Sequence, residues 1–190
     1  AAAQAGLNLA RLLEVCDRSR HLTEIENTLL RAVELSPLVA ADAYGQFMVR
    51  NRDVEGVADL SLELRARMQA STLASLADLL RFSNPGRQLE LLQEAVSRGA
   101  YAEGADEAAA ALLAFLDSKS NNAALKEAMD AIATRDPYRA EQVSKLLEGD
   151  NRTWLAKCLQ EAARDAEAAA VVKPAVTGDT VLMPAANESV

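Results

Sequence analysis

The sequence holds few of the residues that carry catalysis and metal binding. Its 190 residues include one histidine, His21, and two cysteines, Cys16 and Cys158. A single histidine excludes the paired Glu-x-x-His ligands of a di-iron helical bundle. Two distant cysteines form neither a disulfide framework nor a metal-binding pattern. We expect His21 to be a solvated turn residue and both cysteines to pack as small buried hydrophobes, with a reactive thiol or an intermolecular bridge as the alternative.

Basic charge, aromatic residues and long apolar runs are also scarce. The formal net charge is −8 and aromatic residues make up 4% of the chain. Nucleic-acid binding needs clustered Lys and Arg to neutralise phosphates, so no nucleic-acid partner is expected. No apolar run approaches the ~20 residues of a membrane span, and no Gly-rich phosphate loop is present. We therefore predict no membrane span, no cofactor, no metal site and no enzymatic activity.

The N-terminal residues do not decide between the possible cellular compartments of the protein. No secretory signal is visible, which favours the cytoplasm. The first residue is Ala1, however, so a removed leader or a preceding domain remains an alternative.

Helix-forming residues dominate what is present. Half of the residues are hydrophobic, and Ala alone supplies roughly a fifth of the chain. Ala and Leu are the best helix formers, whereas β-branched and aromatic strand formers are sparse. This composition predicts an all-α, alanine-rich, acidic protein.

Two short sequence patterns recur along the chain. The first is a capping residue followed by proline, which starts a helix because the proline lacks an N–H that would have no partner there. It occurs at Ser36-Pro37, Asn84-Pro85 and Asp136-Pro137, with the prolines 48 and 52 residues apart. The second is Glu-Gly, at Glu55-Gly56, Glu103-Gly104 and Glu148-Gly149.

This spacing predicts tandem three-helix repeats with about ten helices in all. A partial repeat covers 1–36, full repeats cover 37–84 and 85–136, and a partial repeat covers 137–170. An irregular, non-repeating helical bundle is the alternative. Residues 171–190 lack a helical period, so we predict an extended or flexible C-terminal tail.

Apolar periodicity predicts the faces of individual helices. In the helix at 3–18, the stripe expected to face the core is Leu9, Leu12, Leu13 and Cys16. Residues 54–69 are predicted to form one continuous helix. In the helix at 150–170, Trp154 falls in the apolar stripe and is expected to plug the end of the core.

Over residues 7–170, the three capped prolines and the three Glu-Gly turns resemble the armadillo and HEAT class of α-solenoids. The unit is longer than the roughly 40–47 residues usual in that class. The resemblance implies a short right-handed α-solenoid whose curved inner surface binds another protein. It therefore implies a non-enzymatic protein–protein interaction or scaffold domain within a larger protein or assembly.

Acidic side chains and the only tryptophan are the candidate partner-binding residues. Two carboxylates at i and i+4 in one helix would mark a groove for a basic partner. Three more lie at one helix N-terminus, where they complement the helix dipole, with a cation or acid–base site as the alternative. The candidates are Asp59, Glu63, Glu103, Asp106, Glu107 and Trp154.

The acidic balance favours a basic or neutral protein partner. One alternative is a structural subunit of an oligomeric machine, such as a secretion apparatus or a virion component. It is suggested by the Ala-rich faces at 105–111 and 162–170, which permit close helix–helix approach and would allow a homo-oligomer. The other is an enzyme or small-ligand binder with a pocket between helices.

Overall fold

The computed structural model of the protein describes residues 1–98 and 102–172. All regular secondary structure within these ranges is helical, which confirms the predicted all-α class. The described residues form eleven helices: α1 (Ala2–Asp17), α2 (Leu22–Leu35), α3 (Pro37–Asn51), α4 (Val54–Ala58), α5 (Leu62–Arg65), α6 (Ala70–Leu79), α7 (Pro85–Ser97), α8 (Ala105–Ser118), α9 (Asn122–Arg135), α10 (Pro137–Gly149) and α11 (Thr153–Val172).

The three prolines each begin a helix, as predicted, at the starts of α3, α7 and α10. The side chain of Asn84 accepts a backbone N–H of the first turn of α7 at 3.0 Å, and Asp136 caps α10 in the same way. Ser36 makes no side-chain capping bond at the start of α3. The fixed φ of Pro37 and its missing N–H are therefore the local features that favour this helix start.

The predicted continuous helix at 54–69 is wrong, because this region forms the two short helices α4 and α5. Ser61 has extended backbone angles, and its hydroxyl accepts an N–H three residues later at 3.4 Å, so it starts a new helix. Two arginines of the next proline-led segment donate to carbonyls at the two ends of α5. Arg87 donates to the Leu60 carbonyl, and Arg98 donates to the last turn of α5 with bonds of 2.7 and 2.8 Å. A donor 27 residues away thus stabilises a break that local periodicity does not reveal.

The helices pack as a continuous array. α1, α2 and α3 contact one another, and α3 contacts α6. α6 contacts α7 and α8, α8 contacts α9 and α10, and α11 packs against both α9 and α10. One hydrophobic core runs through the array from Leu7 to Leu159.

The Glu-Gly pairs occupy three different positions in this array. Gly56 lies within α4, Gly104 immediately precedes α8, and Gly149 is the last residue of α10. Because the Glu-Gly pairs do not recur at one position of a helical unit, they give no support to the predicted spacing of the repeats. The unit boundaries and the right-handed curvature remain predictions.

The face that α1 turns towards the core includes Leu13 of the predicted stripe but not its other three members. Leu7 is buried in the core, whereas Leu12 and Val15 are 63% and 84% exposed. A Cβ added to Gly6 would lie 3.2 Å from the Cβ of Ala32 in α2, so small residues line the contact between these helices. Because α1 and α2 approach closely here, α1 turns its small residues towards α2 and leaves an apolar outer face exposed. We call the exposed residues Leu9, Leu12, Val15 and Cys16 the α1 outer face.

Two of the predictions fall on residues outside the described ranges. Apart from its first two residues, which end α11, the predicted tail at 171–190 lies there. The predicted helix-ending role of Gly99 lies there as well.

Candidate protein-binding surface

α9 and α11 lie side by side and form a groove, which we call the α9/α11 groove. The side chain of Asn121 caps α9 by accepting a backbone N–H at 3.3 Å. The chain then passes through α10 and turns back at Asn151, which adopts a left-handed φ of 60°. α10 packs against both helices and joins them through short connections. α9 and α11 are thereby held side by side.

The groove has a volume of about 460 Å³ and is lined by one stripe from each helix. The stripe on α9 is Asn122, Leu125, Lys126, Met129 and Asp130. The stripe on α11 is Trp154, Cys158, Glu161, Ala162 and Asp165. Successive members of each stripe are one, three or four residues apart, the spacing that keeps side chains on one side of a helix.

Trp154 lies at the edge of this groove and is 52% exposed, so the prediction that it plugs the core is wrong. The next residue, Leu155, is fully buried, as is Leu159. Successive helical residues are turned by about 100°, so Leu155 cannot face the core without turning Trp154 away from it. The apolar stripe predicted from the sequence was wider than the buried face of α11.

The cysteines have different environments. Cys158 is partly buried and lines the α9/α11 groove. Cys16 is exposed, so the expectation that it is buried is wrong. Cys16 instead belongs to the α1 outer face.

Charge is unevenly distributed along the groove. Asp130, Glu161 and Asp165 are exposed carboxylates, and Lys126 is the cation among the lining residues. Among the residues that the structure describes, none of these four side chains forms an ion pair. The groove therefore presents unpaired acidic groups beside apolar surface.

The first predicted carboxylate pair is separated in the structure. Asp59 follows the last residue of α4, and Glu63 lies in the first turn of α5. The break between these helices removes the predicted i, i+4 relation within one helix. Both side chains are exposed, and neither lines the α9/α11 groove.

The three carboxylates predicted at one helix N-terminus have different environments in the structure. Glu103 and Glu107 are exposed. Asp106 accepts a bond of 3.0 Å from Nε of Arg139, a side chain that is 97% buried. The same guanidinium donates to the carbonyl of Ala105 at 2.7 Å, so it joins α10 to the start of α8. None of the three acidic residues lines the α9/α11 groove.

A network of two arginines and two glutamates, which includes the buried Arg65, was not predicted from the sequence. Nη1 of Arg65 lies 2.8 Å from Glu94 and 3.3 Å from Glu90, and Nη1 of Arg87 lies 2.6 Å from Glu90. The hydrogen bond from Arg87 lowers the pKa of Glu90, and the charges of both arginines add to this effect. The spacing of Arg87, Glu90 and Glu94 along α7 can be seen in the sequence. Arg65, however, comes from a helix more than 20 residues away, so local spacing could not predict its part in the network. The network holds α5 against α7.

A second groove lies between α7 and α9, and side chains of α8 form part of its lining. Its volume is about 360 Å³, and the buried Leu112 and Leu116 are part of its lining. Its charged lining residues are Glu127, Arg135 and Arg139, and the last of these is paired with Asp106. None of the described residues that line this groove is aromatic.

Residues 1–98 and 102–172 contain no group of three or more His, Cys, Asp and Glu side chains arranged to hold a metal ion. None of the helices in these ranges combines the length and the apolar character of a membrane-spanning segment. Nδ1 of His21 lies 2.9 Å from Glu24 at the start of α2, in the turn where it was expected.

Comparison with known proteins adds little to this description. No family model matches the chain, and no curated protein matches it. Among solved structures, the chain is similar to the crystal structure of MamA at 13% identity, with a TM-score of 0.40. The match covers 80% of this chain and 95% of that chain. Because the similarity is so weak, the class that can be stated is an all-α helical array with surface grooves.

Proposed function

We propose that this protein is a non-enzymatic interaction or scaffold domain that binds a partner protein in the α9/α11 groove. The observation that carries this proposal is Trp154, which exposes 52% of its surface beside a groove with a buried apolar floor. Tryptophan is enriched among the residues that dominate binding energy at interfaces. Its indole offers a large rigid apolar area and one N–H donor.

The groove is supported by well-packed helices, which favours binding. Leu125 and Met129 are 4% and 6% exposed, so the floor belongs to the core of the array. On the other side of α11, Ser144 donates to the Ala140 carbonyl at 2.8 Å and lies 3.4 Å from the Ala156 carbonyl, within the α10–α11 contact. A preformed groove reduces the entropy lost on binding, because its side chains are already ordered.

The test is selection from a random peptide display library on the full chain and on Trp154→Ala. We expect selected peptides to bind Trp154→Ala at least ~30-fold more weakly, because truncation of a tryptophan that a partner covers commonly costs about 2 kcal/mol or more at an interface. Because Trp154 is the only tryptophan, its fluorescence reports binding directly in the unmodified chain. The matched control is Phe82→Ala, which removes an aromatic side chain that is 92% exposed and lies outside the groove. Equal binding to wild type and Trp154→Ala would contradict the proposal.

A second candidate function is that of a structural subunit in an oligomer, and the α1 outer face favours it. Three large apolar side chains there are 47%, 63% and 84% exposed on one side of a helix. Exposed apolar patches often mark interfaces. Light scattering after size exclusion tests this, with Leu12→Glu as the variant. Growth in mass with concentration that Leu12→Glu abolishes would support a subunit, whereas a monomer at every concentration would exclude it.

A further inference from the structure

We infer that the partner segment in the α9/α11 groove is an amphipathic helix that covers Trp154 with apolar side chains and pairs Lys or Arg with Glu161 and Asp165. This inference rests on the proposed function and specifies the chemistry of the partner. It follows from the charge of the groove, from the spacing along α11, and from the nature of its walls.

The charge of the groove indicates the sign of the partner. Its lining contains three carboxylates and one cation, Lys126. Elsewhere in the described residues, acidic side chains such as Glu14, Glu94 and Asp106 have arginine partners within 3.0 Å. The groove carboxylates have no such partner among these residues and are available to a basic segment. The net charge of −8 would also attract a basic partner to the protein as a whole.

The spacing along α11 indicates where the partner's charges lie. Glu161 and Asp165 come seven and eleven residues after Trp154. At ~1.5 Å per residue they lie about 10 and 16 Å along the helix from the tryptophan. The α11 wall of the groove thus has an aromatic end and an acidic end, and the partner must match both.

The walls of the groove favour a helical partner over an extended one. Helical walls use their backbone N–H and C=O groups internally, so they offer no edge with which an extended peptide could pair. A partner helix satisfies its own backbone and presents a row of side chains that packs between two rows on the receptor. A helical partner would therefore carry its Lys or Arg residues seven to eleven positions from its apolar anchor.

The experiment measures peptides from the display selection against a charge-neutralised groove. The variant Glu161→Gln/Asp165→Asn alters two exposed side chains, so the fold is expected to persist, and circular dichroism verifies this. The control variant Glu34→Gln/Glu55→Gln removes the same charge from exposed positions on α2 and α4. Peptide affinity is followed by Trp154 fluorescence, and peptide helicity by circular dichroism.

We expect Trp154-dependent peptides to become helical when bound and to be enriched in Lys or Arg at the stated spacing. The groove variant should weaken their binding about 3- to 10-fold at low salt, and the control variant less than about twofold. About 0.5 M salt should remove most of this difference, because it screens exposed charges.

Two results would overturn the inference and leave the proposed function standing. One is Trp154-dependent peptides without Lys or Arg enrichment. The other is equal weakening by the groove and control variants, which would indicate only a general attraction to an acidic protein. Failure to obtain any Trp154-dependent peptide would instead defeat the proposed function, and the inference with it.

Discussion

Gly104 offers a sharp test of how the array is held together. It has a φ of +77° just before α8, and a Cβ added there would lie 2.5 Å from both the Cα and the Cβ of Ser71. The backbone N–H of Ser71 donates to the Glu103 carbonyl at 3.0 Å, so this turn is fastened to the start of α6. Gly104→Ala would therefore meet an unfavourable backbone conformation and a steric clash with main-chain atoms.

The two effects can be estimated separately. A non-glycine residue in the left-handed region costs about 1–2 kcal/mol. Forcing an extra methyl group against a backbone that must shift costs about 1–3 kcal/mol. The sum is a loss of about 2–5 kcal/mol in the free energy of unfolding, a large part of the ~5–15 kcal/mol of a typical domain.

The matched control is Gly149→Ala, because this glycine ends α10 and an added Cβ there meets nothing within 4 Å. Alanine forms helices better than glycine, so the control is expected to be neutral or stabilising by up to ~1 kcal/mol. Urea unfolding followed by circular dichroism compares the three proteins through their midpoints and slopes. If Gly104→Ala and Gly149→Ala unfold at the same urea concentration, the reasoning about this turn is wrong.

Three further predictions concern burial and charge. Leu7→Ala should lower the free energy of unfolding by about 2–4 kcal/mol, because it leaves a cavity in the core, whereas Leu12→Ala should change it by less than ~0.5 kcal/mol. Equal thermal shifts of these two variants would show that the assigned buried face of α1 is wrong. Arg139→Met should lower the free energy of unfolding by about 1–3 kcal/mol, because it leaves the Ala105 carbonyl and the partly buried Asp106 carboxylate without their donor. An unchanged midpoint of urea unfolding would contradict this role of Arg139. The pKa of Glu90 should lie below its ordinary value and rise in Arg87→Ala, as measured by NMR titration. Because this pKa is lowered on folding, its stabilising contribution is present above the unfolded pKa and is lost as the pH falls through the folded pKa. An identical pKa in the variant would refute the assigned cause.

The helical class and the main helix starts follow from local features of the sequence. Pro37, Pro85 and Pro137 act through fixed φ and a missing N–H, which are properties of the residue and its neighbours. Capping by Asn84 and Asp136 is equally local, since the side chain reaches only two or three residues along the chain. Such features are encoded within one turn of helix, so no tertiary information was needed to find them.

The choice of buried faces depended on tertiary packing. A helix rich in Ala and Leu has several overlapping apolar stripes, and periodicity does not say which one meets a neighbour. In α1 the narrow contact beside Gly6 selected the face with small residues and left Leu12 exposed. In α11 the burial of Leu155 turned Trp154 outward, into the groove on which the proposed function rests.

The break between α4 and α5 and the role of Asp106 also required the folded structure. Ser61 was a local signal for the break, but the arginine that donates to the freed Leu60 carbonyl lies 27 residues further along the chain. Asp106 resembled its acidic neighbours in sequence until Arg139, 33 residues away, was brought within 3.0 Å. Contacts between residues so distant depend on how whole helices pack, and that information is spread over the core rather than carried by any local pattern.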